Sequence, residues 1–363
     1  MTLTFRRPPA GTLVRLGATA SALALLSACG GSSSGAAAGT PSGSAASGSF
    51  AGTTLTLYNG QHEQTTNALV AGFEKLTGAK VKVRSDDEHV LAQQIEQEGS
   101  HSRADVFYTE NTPPLARLDE KGLLAPVNAT ALAAVPSAYS ATDKSWVGVS
   151  ARVSEIVYNT QALKPADLPT SILDLADPKW KDKLDIAPSE TDFQPLVTAV
   201  AADKGDAAAV AWLKALKSNA GKHTDPDNET LVANINKGTT QIGVINHYYW
   251  YRLQLEDGPS GTHSALQTFA PHDDGYLLDV SGAAVIKSSK HRAAAQALLS
   301  YLVGAGGQRV LADGDSFEYP VGSHVALSAQ LPPLSGLQPK NFDLTQIGDG
   351  GQAVRLLQQA GLL

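Results

Sequence analysis

The sequence predicts an α/β fold made of two lobes, and two observations lead to this prediction. After residue 50, short apolar runs that read as strands alternate with stretches of helical spacing. This order indicates helices packed on a largely parallel sheet. The remaining chain is about 313 residues long, and a chain of this length usually divides into more than one hydrophobic core. We therefore expect two lobes, each with its own core.

The elements of the first lobe follow one another in a regular order. The first helix is expected to end at Gly78, and the acids Asp86, Asp87 and Glu88 suit the solvated first turn of the next helix. The predicted strands are TLTLYNG, AKVKVRS and ADVFYTE, and the predicted helices are HEQTTNALVAGFEKLTG, DDEHVLAQQIEQEG and TPPLARLDEKGLL.

Two long β-rich runs, 146–160 and 276–289, are predicted to carry the chain from one lobe to the other and back. Between them, residues 202–220 have the spacing of one amphipathic helix. The predicted division is lobe 1 at 51–151 and 278–330, lobe 2 at 152–277, and a C-terminal helical segment at 331–363.

The N-terminus has the features of an export signal. Three arginines precede an apolar run at 16–28 that is too short to span a bilayer comfortably. The run ends in LSAC, which resembles the lipobox of bacterial lipoproteins, and Cys29 is the only cysteine in the chain. That resemblance implies a signal peptide at 1–28, a lipid on Cys29 and a flexible linker at 29–50. The alternative is an ordinary secretory signal with an incidental cysteine. We expect the protein on the extracytoplasmic face of the cell membrane, on the periplasmic side if an outer membrane exists.

Composition excludes several classes of function. The predicted leader holds three of the 28 basic residues and none of the 35 acidic ones, so the mature chain has 25 basic residues and a net charge of −10. An acidic body without a basic stripe argues against nucleic-acid binding. No later run approaches 18 apolar residues, so the lipid is the only membrane contact we expect. A single cysteine leaves no intrachain disulfide.

No motif of an enzyme stands out. From residue 51 onward, the chain lacks the G-x-S-x-G, H-E-x-x-H, Walker and G-x-G-x-x-G patterns. The segment GDSF at 314–317 resembles a block of GDS-type hydrolases, but nothing around it has the strand–turn–helix pattern of a nucleophile. We interpret it as a loop. A secreted hydrolase that uses Ser316 is the alternative from another class.

Polar side chains follow three of the predicted strands. His62 and Glu110 come after two strands of lobe 1, and Tyr248 and Tyr249 come after the run GTTQIGVI in lobe 2. Because ligand sites in open α/β sheets lie at the carboxyl ends of strands, closure of the lobes would bring the four together. Taken singly, the tyrosines could fill an aromatic core or a sugar-stacking surface, and the other two could be capping or solvated groups.

The chemistry of this set favours ferric iron. Phenolate and carboxylate oxygens are hard donors, and a bound trivalent cation stabilises the deprotonated phenol. Two phenolates and one carboxylate supply three negative charges, which match Fe³⁺. The set has no sulfur ligand for Cu⁺ and no histidine cluster for Zn²⁺. Calcium prefers carboxylates and carbonyls to phenols.

Six segments in the same order resemble the ferric-iron-binding proteins of bacterial ABC importers, a likeness that covers residues 53–363. The segments are YNGQH, ADVFYTEN, VGVSARVSEIVYN, DNETLVANINKG, INHYYWYRL and SGAAVIKSS. The resemblance implies a two-lobed periplasmic-binding-protein fold of type II, a flytrap with a hinge. It implies His62, Glu110, Tyr248 and Tyr249 as iron ligands, and a small anion such as phosphate or carbonate in the remaining positions.

The resemblance also implies contacts to that anion. Asn111 departs from the glutamine often found after the glutamate ligand, and a surface ion pair is the alternative for Arg252. His247 is expected to face away from the site. The candidate anion contacts are Ser150, Ala151, Asn228, Asn246, Asn111 and Arg252.

These expectations give one functional hypothesis. The protein is predicted to be a monomeric, lipid-anchored receptor without catalytic activity. It would capture Fe³⁺ by hinge closure and deliver it to an iron ABC permease and its ATPase. The alternative is a binding protein for a polyamine, thiamine or a phosphonate on the same fold, because fold alone does not decide the ligand.

Overall fold

The computed structural model describes residues 49–323, 325–327, 330–340 and 347–363. The predicted signal peptide, Cys29 and nearly all of the predicted linker lie outside these residues. Within the described ranges, no helix is both long enough and apolar enough to cross a membrane.

The first elements alternate between strand and helix as the sequence predicts. They are β1 Thr54–Gly60, α1 Glu63–Thr77, β2 Lys80–Ser85, α2 Glu88–Glu98, β3 Val106–Thr109, α3 Pro113–Glu120, β4 Leu124–Ala125 and α4 Ala129–Ala133. Strand β1 lies between β2 and β3, and both pairings are parallel. Gly78 ends α1 as predicted, with φ 74° and its N–H donated to the carbonyl of Glu74.

The remaining elements begin with one long strand. They are β5 Val147–Asn159, α5 Phe193–Lys204, α6 Asp206–Ala220, α7 Asn228–Lys237, β6 Ile242–Asn246, α8 His247–Gly261, β7 Ser264–Gln267, β8 Leu278–Ile286, α9 Arg292–Val303, α10 Ala305–Asp313, β9 Tyr319–Pro320 and α11 Gly351–Ala360. Short 3₁₀ turns connect β5 to α5.

Strand β5 joins two groups of strands. Its first part pairs with β8 and β9, and its second part, from Ser154 to Asn159, pairs with β6 and β7. The main path through the sheet is β2-β1-β3-β8-β5-β6. The exact lobe boundaries given by the sequence stay predictions.

The prediction of a largely parallel sheet is wrong. Among the strands of the described residues, only the two pairings of β1 are parallel. Strand β8 is antiparallel to β3, β4 and β5, and β5 is antiparallel to β6, β7 and β9. The chain leaves the first group of strands on β5 and returns on the adjacent β8. Because an outgoing and a returning strand lie side by side, they run in opposite directions.

The predicted single helix at 202–220 is two helices. Gly205 has φ 85° and donates its N–H to the carbonyl of Ala201, which ends α5, and α6 begins at the next residue. The left-handed region is open to glycine at little cost, so this one residue turns the chain.

The central strands are buried on both faces. Along β3, Val106 and Tyr108 belong to the main core, while Phe107 between them packs in a second core with Leu91 and Ile95 of α2. Successive strand residues point to opposite faces, so helices on both sides cover the sheet. His62 follows the carboxyl end of β1, Glu110 follows that of β3, and the pair Tyr248 and Tyr249 follows that of β6.

Candidate metal centre

A tight turn between β1 and α1 positions His62. The fully buried side chain of Asn59 donates to the carbonyl of Gln61 at 2.6 Å and accepts from its N–H at 3.2 Å. The hydroxyl of Thr66 on α1 donates to the same Asn59 oxygen at 2.8 Å. His62 is the residue just before α1, and its Nε2 lies 3.2 Å from Oε1 of Glu110.

Hydrogen bonds on both sides fix the backbone at Glu110. The buried Arg152 guanidinium donates to the Glu110 carbonyl and to Oδ1 of Asn111. The carboxyl of Glu88 accepts from the backbone N–H and from Nδ2 of Asn111, both at 3.0 Å. The short strand β3 therefore ends in a rigid segment that presents the Glu110 carboxylate.

The prediction that Asp86, Asp87 and Glu88 form a solvated helix start is wrong for Glu88. Asp87 caps α2 through two backbone N–H groups, each at 2.9 Å, but Glu88 is only 3% exposed. Burial, together with the nearby charge of Glu110, raises the pKa of Glu88 to about 8. The turn of the helix directs one acid to solvent and the next into the protein.

Tyr248 and Tyr249 occupy the first turn of α8, directly after β6. Their side chains are 0% and 3% exposed, and their ring centroids are 4.3 Å apart. Both hydroxyls donate to Oδ2 of Asp192, at 3.2 Å from Tyr248 and 3.0 Å from Tyr249. The Tyr248 hydroxyl also bonds to Oε1 of Glu110. Because the chain changes from strand to helix here, two neighbouring tyrosine side chains can contact the same carboxylate oxygen of Asp192.

The four predicted ligands form one cluster. The His62 ring is edge-on to both tyrosine rings, with centroids 5.4 Å from Tyr248 and 6.2 Å from Tyr249. Glu110 Oε1 contacts both the imidazole and a phenol. Within the described residues, no group of three or more His, Cys, Asp and Glu is placed to hold a metal without further donors. A metal centre here would therefore depend on the phenols.

Sequence reasoning missed Asp192, the acid that both phenols contact. It is the residue before α5, and an acid there looks like an ordinary helix cap, yet its side chain makes no cap hydrogen bond. Its side chain is 5% exposed. The absence of a capping role is visible only in the structure.

Sequence reasoning also missed Arg152, which lies in the apolar strand β5 and is fully buried. Its guanidinium donates to Oδ2 of Asp279 at 3.0 Å and lies 4.0 Å from Oδ1 of Asp192. A lone arginine in a buried strand was a signal that could have been used, because an unpaired buried charge is too costly to keep.

The electrostatics of the cluster favour protonated phenols beside an ionised carboxylate. Burial and the nearby carboxylates raise the pKa of Tyr248 and of Tyr249 well above the ordinary value. Burial alone would raise the pKa of Glu110, but the charges of His62 and Arg152 outweigh it and hold that pKa well below its usual range. Burial lowers the pKa of His62, and the Glu110 carboxylate outweighs this and raises it. A cation bound here would have to displace the phenolic protons.

Residues 102–344 match the family model of bacterial extracellular solute-binding proteins. The chain belongs to this family. Among its relatives, the Fe(3+)-binding periplasmic protein of Serratia marcescens is 39% identical over 309 residues, which cover 85% of this chain and 90% of that protein. The major ferric iron-binding protein of Neisseria meningitidis is 38% identical over 313 residues, covering 85% of this chain and 93% of that protein.

Solved structures give the same result for this solute-binding protein. Iron-bound HitA from Pseudomonas aeruginosa superposes with a TM-score of 0.82 at 37% identity, covering 85% of this chain and 99% of the other. The Trichodesmium protein IdiA (FutA), in complex with iron and citrate ligands, gives 0.75 at 28% identity with the same coverage. The predicted two-lobed periplasmic-binding-protein fold is confirmed, and so is the prediction that the protein is not an enzyme.

Three of the predicted anion contacts of this solute-binding protein lie at the cluster. Asn111 and Asn228 donate their side-chain N–H groups to the two oxygens of Asp192, at 3.3 Å and 3.4 Å. The Arg252 guanidinium lies 4.6 Å from the centroid of the Tyr248 ring. Their role toward an anion stays a prediction.

The other three candidates lie differently. Ser150 and Ala151 are fully buried in β5. The Ser150 hydroxyl is 2.5 Å from the hydroxyl of Ser281, and both residues pair with β8 and β9. Asn246 ends β6 and lines a small cavity together with Asp192. The anion contacts expected of Ser150, Ala151 and Asn246 stay predictions.

The side chains of His247 and Ser316 both form hydrogen bonds to backbone groups. His247 faces away from the cluster as expected: Nδ1 accepts from the N–H of Val153 at 3.2 Å and Nε2 donates to the carbonyl of Phe317 at 2.7 Å. Burial lowers the pKa of His247 to about 4. Ser316 is buried, and its hydroxyl donates to the carbonyl of Leu311. The hydrolase alternative is therefore not favoured.

Proposed function

We propose that this solute-binding protein captures ferric iron between its two lobes for uptake into the cell. The observation that carries the proposal is the cluster of four side chains. Glu110 contacts both the His62 imidazole and the Tyr248 hydroxyl, and the Tyr249 ring packs against the Tyr248 ring with centroids 4.3 Å apart. These are hard donors, and three of them are anionic once the phenols lose their protons. The names of its relatives, which describe ferric iron-binding proteins, support the same assignment.

Four side chains leave two positions open around a six-coordinate ion. We expect oxygen donors there, and the family resemblance implies a small anion such as phosphate or carbonate. A neighbouring structure that holds both iron and citrate supports an anionic companion in this fold. Asn111, Asn228, Asn246 and Arg252 are the side chains nearest to such a companion in this proposal.

The captured iron would then pass to a permease and its ATPase. Membership of the extracellular solute-binding family supports an extracytoplasmic site of action. We further propose that a lipid on Cys29 anchors the protein to the membrane and that residues 30–50 act as its tether, with the protein working as a monomer. Hinge closure would assemble the centre, since His62 and Glu110 belong to one predicted lobe and the tyrosines to the other.

A visible-absorption titration tests the proposal. Apo protein is titrated with ferric citrate in parallel with the double variant Tyr248→Phe/Tyr249→Phe. The parent should develop a broad visible band from phenolate-to-iron charge transfer, saturating at one iron per chain. The double variant should show no band, because phenylalanine offers no oxygen. Tyr301→Phe, which removes a phenol that packs on Phe73 far from the cluster in sequence, is the matched control and should keep the band.

Absence of the band in the parent would contradict the iron assignment. The alternative ligands are then organic, and calorimetric titration with polyamines, thiamine and phosphonates would identify them. At present no contact in the described residues favours an organic solute over the metal.

A further inference from the structure

Asp192 lies among the proposed ligands and has no role in the set predicted from the sequence. Its Oδ2 accepts from both tyrosine hydroxyls, at 3.2 Å and 3.0 Å. Its side chain is 5% exposed and does not cap the helix that follows it. A buried carboxylate is costly unless something compensates its charge, so its position needs an explanation.

The spacing of donor atoms matches one coordination shell. An octahedral ion with bonds of about 2.1 Å places adjacent donor atoms about 3 Å apart. His62 Nε2 and Glu110 Oε1 are 3.2 Å apart, and Asp192 Oδ2 is 3.2 Å and 3.0 Å from the two phenolic oxygens. Glu110 and Asp192 both contact the Tyr248 hydroxyl, so a continuous series of contacts runs from His62 through Glu110 and Tyr248 to Asp192 and Tyr249.

Neighbouring side chains hold the Asp192 carboxylate in a fixed orientation, with one oxygen directed at the phenols. Asn111 donates to its Oδ1 at 3.3 Å, and the Arg152 guanidinium lies 4.0 Å from the same oxygen. Oδ2 faces the phenols and has a further contact of 3.4 Å with Asn228. The carboxylate is therefore held by one oxygen while the other points to the centre, which is how partners around a metal site orient its ligands.

We propose that Asp192 is a fifth protein ligand of the ferric ion, bound through Oδ2. This inference rests on the proposed function. Asp192 takes one of the two positions that the other four ligands leave open, so an external anion fills a single position. Two phenolates and two carboxylates already exceed the three charges of Fe³⁺, which weakens the attraction for an added anion. Iron retention by this protein is consequently almost independent of phosphate or carbonate.

The test compares iron retention with and without an external anion. Protein loaded from ferric citrate is transferred into buffer free of citrate, phosphate and bicarbonate, and iron is withdrawn with EDTA while the visible band is followed. The same competition is repeated with added phosphate. The variants are Asp192→Ala, Asp192→Asn and the matched control Asp203→Ala, which removes an exposed acid from α5, the helix that Asp192 precedes.

The parent and Asp203→Ala should retain iron in anion-free buffer, with an affinity that phosphate changes by less than about threefold. Asp192→Ala and Asp192→Asn should bind at least about tenfold more weakly there. Phosphate should restore part of the loss in Asp192→Ala, where the vacated space admits it. Circular dichroism of the apo variants checks that they fold.

Two results would overturn the inference. One is an Asp192→Ala or Asp192→Asn variant that binds iron as tightly as the parent in anion-free buffer. The other is a parent that loses its iron when anions are removed, a measurement that needs no variant. Either result with the visible band present leaves the iron assignment intact. A parent without any band contradicts the iron assignment itself.

Discussion

Arg152 is the bulkiest fully buried side chain among the described residues, and its charge organises the acids around the centre. It pairs with Asp279, approaches Asp192, and donates to the backbone that carries Glu110. Burial lowers the pKa of Arg152, but the acids around it outweigh burial and raise it. The arginine therefore stays charged and allows carboxylates to be buried where a cation will later bind.

Removing this charge should destabilise the apo protein strongly. Arg152→Met leaves Asp279 and the carbonyl of Glu110 without their partner, and breaking a buried pair costs about 3–5 kcal/mol. Urea unfolding of the iron-free protein measures the loss. Arg103→Met, which removes an exposed arginine, should change the free energy of unfolding by less than about 0.5 kcal/mol. Equal effects of the two substitutions would contradict the role given to Arg152.

At this scale the sequence predicts the members of the cluster better than the residues that support them. His62, Glu110 and the tyrosines could be found because each follows an apolar run that reads as a strand. Asp192 could not be found in the same way, since an acid before a helix is most often its cap. The charge of Arg152 within an apolar strand indicates a buried partner, but the local sequence does not say which acids pair with it. Only the pairing of β5 with its neighbours brings their charges together.

Among the elements, α7 and α8 begin at the centre, and their first turns decide where its side chains point. Asp227 precedes α7, and its Oδ1 accepts from the N–H of Thr230 at 2.6 Å. Asn228, the first residue of α7, contacts Asp192. The Asp227 cap therefore both stabilises α7 and holds the Asn228 side chain in its position beside Asp192.

Asp227→Ala should cost about 1 kcal/mol in the free energy of unfolding, as losses of N-cap residues do. It should also weaken iron binding several-fold, because Asn228 is no longer held in place. Asp227→Asn, which keeps the side-chain acceptor, is the matched control and should be nearly neutral in both measurements. The prediction fails if the two variants lose the same stability in urea unfolding.

Element positions follow well from the sequence, but strand direction does not. The alternation of apolar strands and helices at the start of the chain gives β1 to β3 and α1 to α3 in the right order. The antiparallel pairings depend on where β8 inserts, between β3 and β5, and no local pattern encodes that contact. The residues on both sides of Gly205 keep helical spacing, so the sequence predicts one continuous helix there, whereas Gly205 separates α5 from α6.

For the whole molecule, the proposed function means that iron and protons compete for one buried centre. Burial raises the pKa of Tyr248 and of Tyr249, so both phenols are protonated in the iron-free protein at neutral pH. Binding of Fe³⁺ must release both protons. Affinity is therefore highest at high pH and falls as the pH falls, which favours release of iron in acid.

The steepness of this dependence can be measured. With two phenolic protons released, the apparent affinity for iron should fall at least about 100-fold for each unit of pH between 8 and 6. Tyr248→Phe leaves one phenol, so its affinity should fall only about tenfold for each unit of pH. Competition with a chelator of known pH dependence gives both slopes. Identical slopes for the parent and the single variant would mean that Tyr248 does not give up its proton to iron.

The most direct test of the account is an anomalous-difference map, at the iron absorption edge, of crystals of the iron-loaded protein. We predict one iron peak per chain, within about 2 Å of the tyrosine hydroxyls, His62 Nε2 and the carboxylate of Glu110. A peak that lies away from both tyrosines would contradict the account.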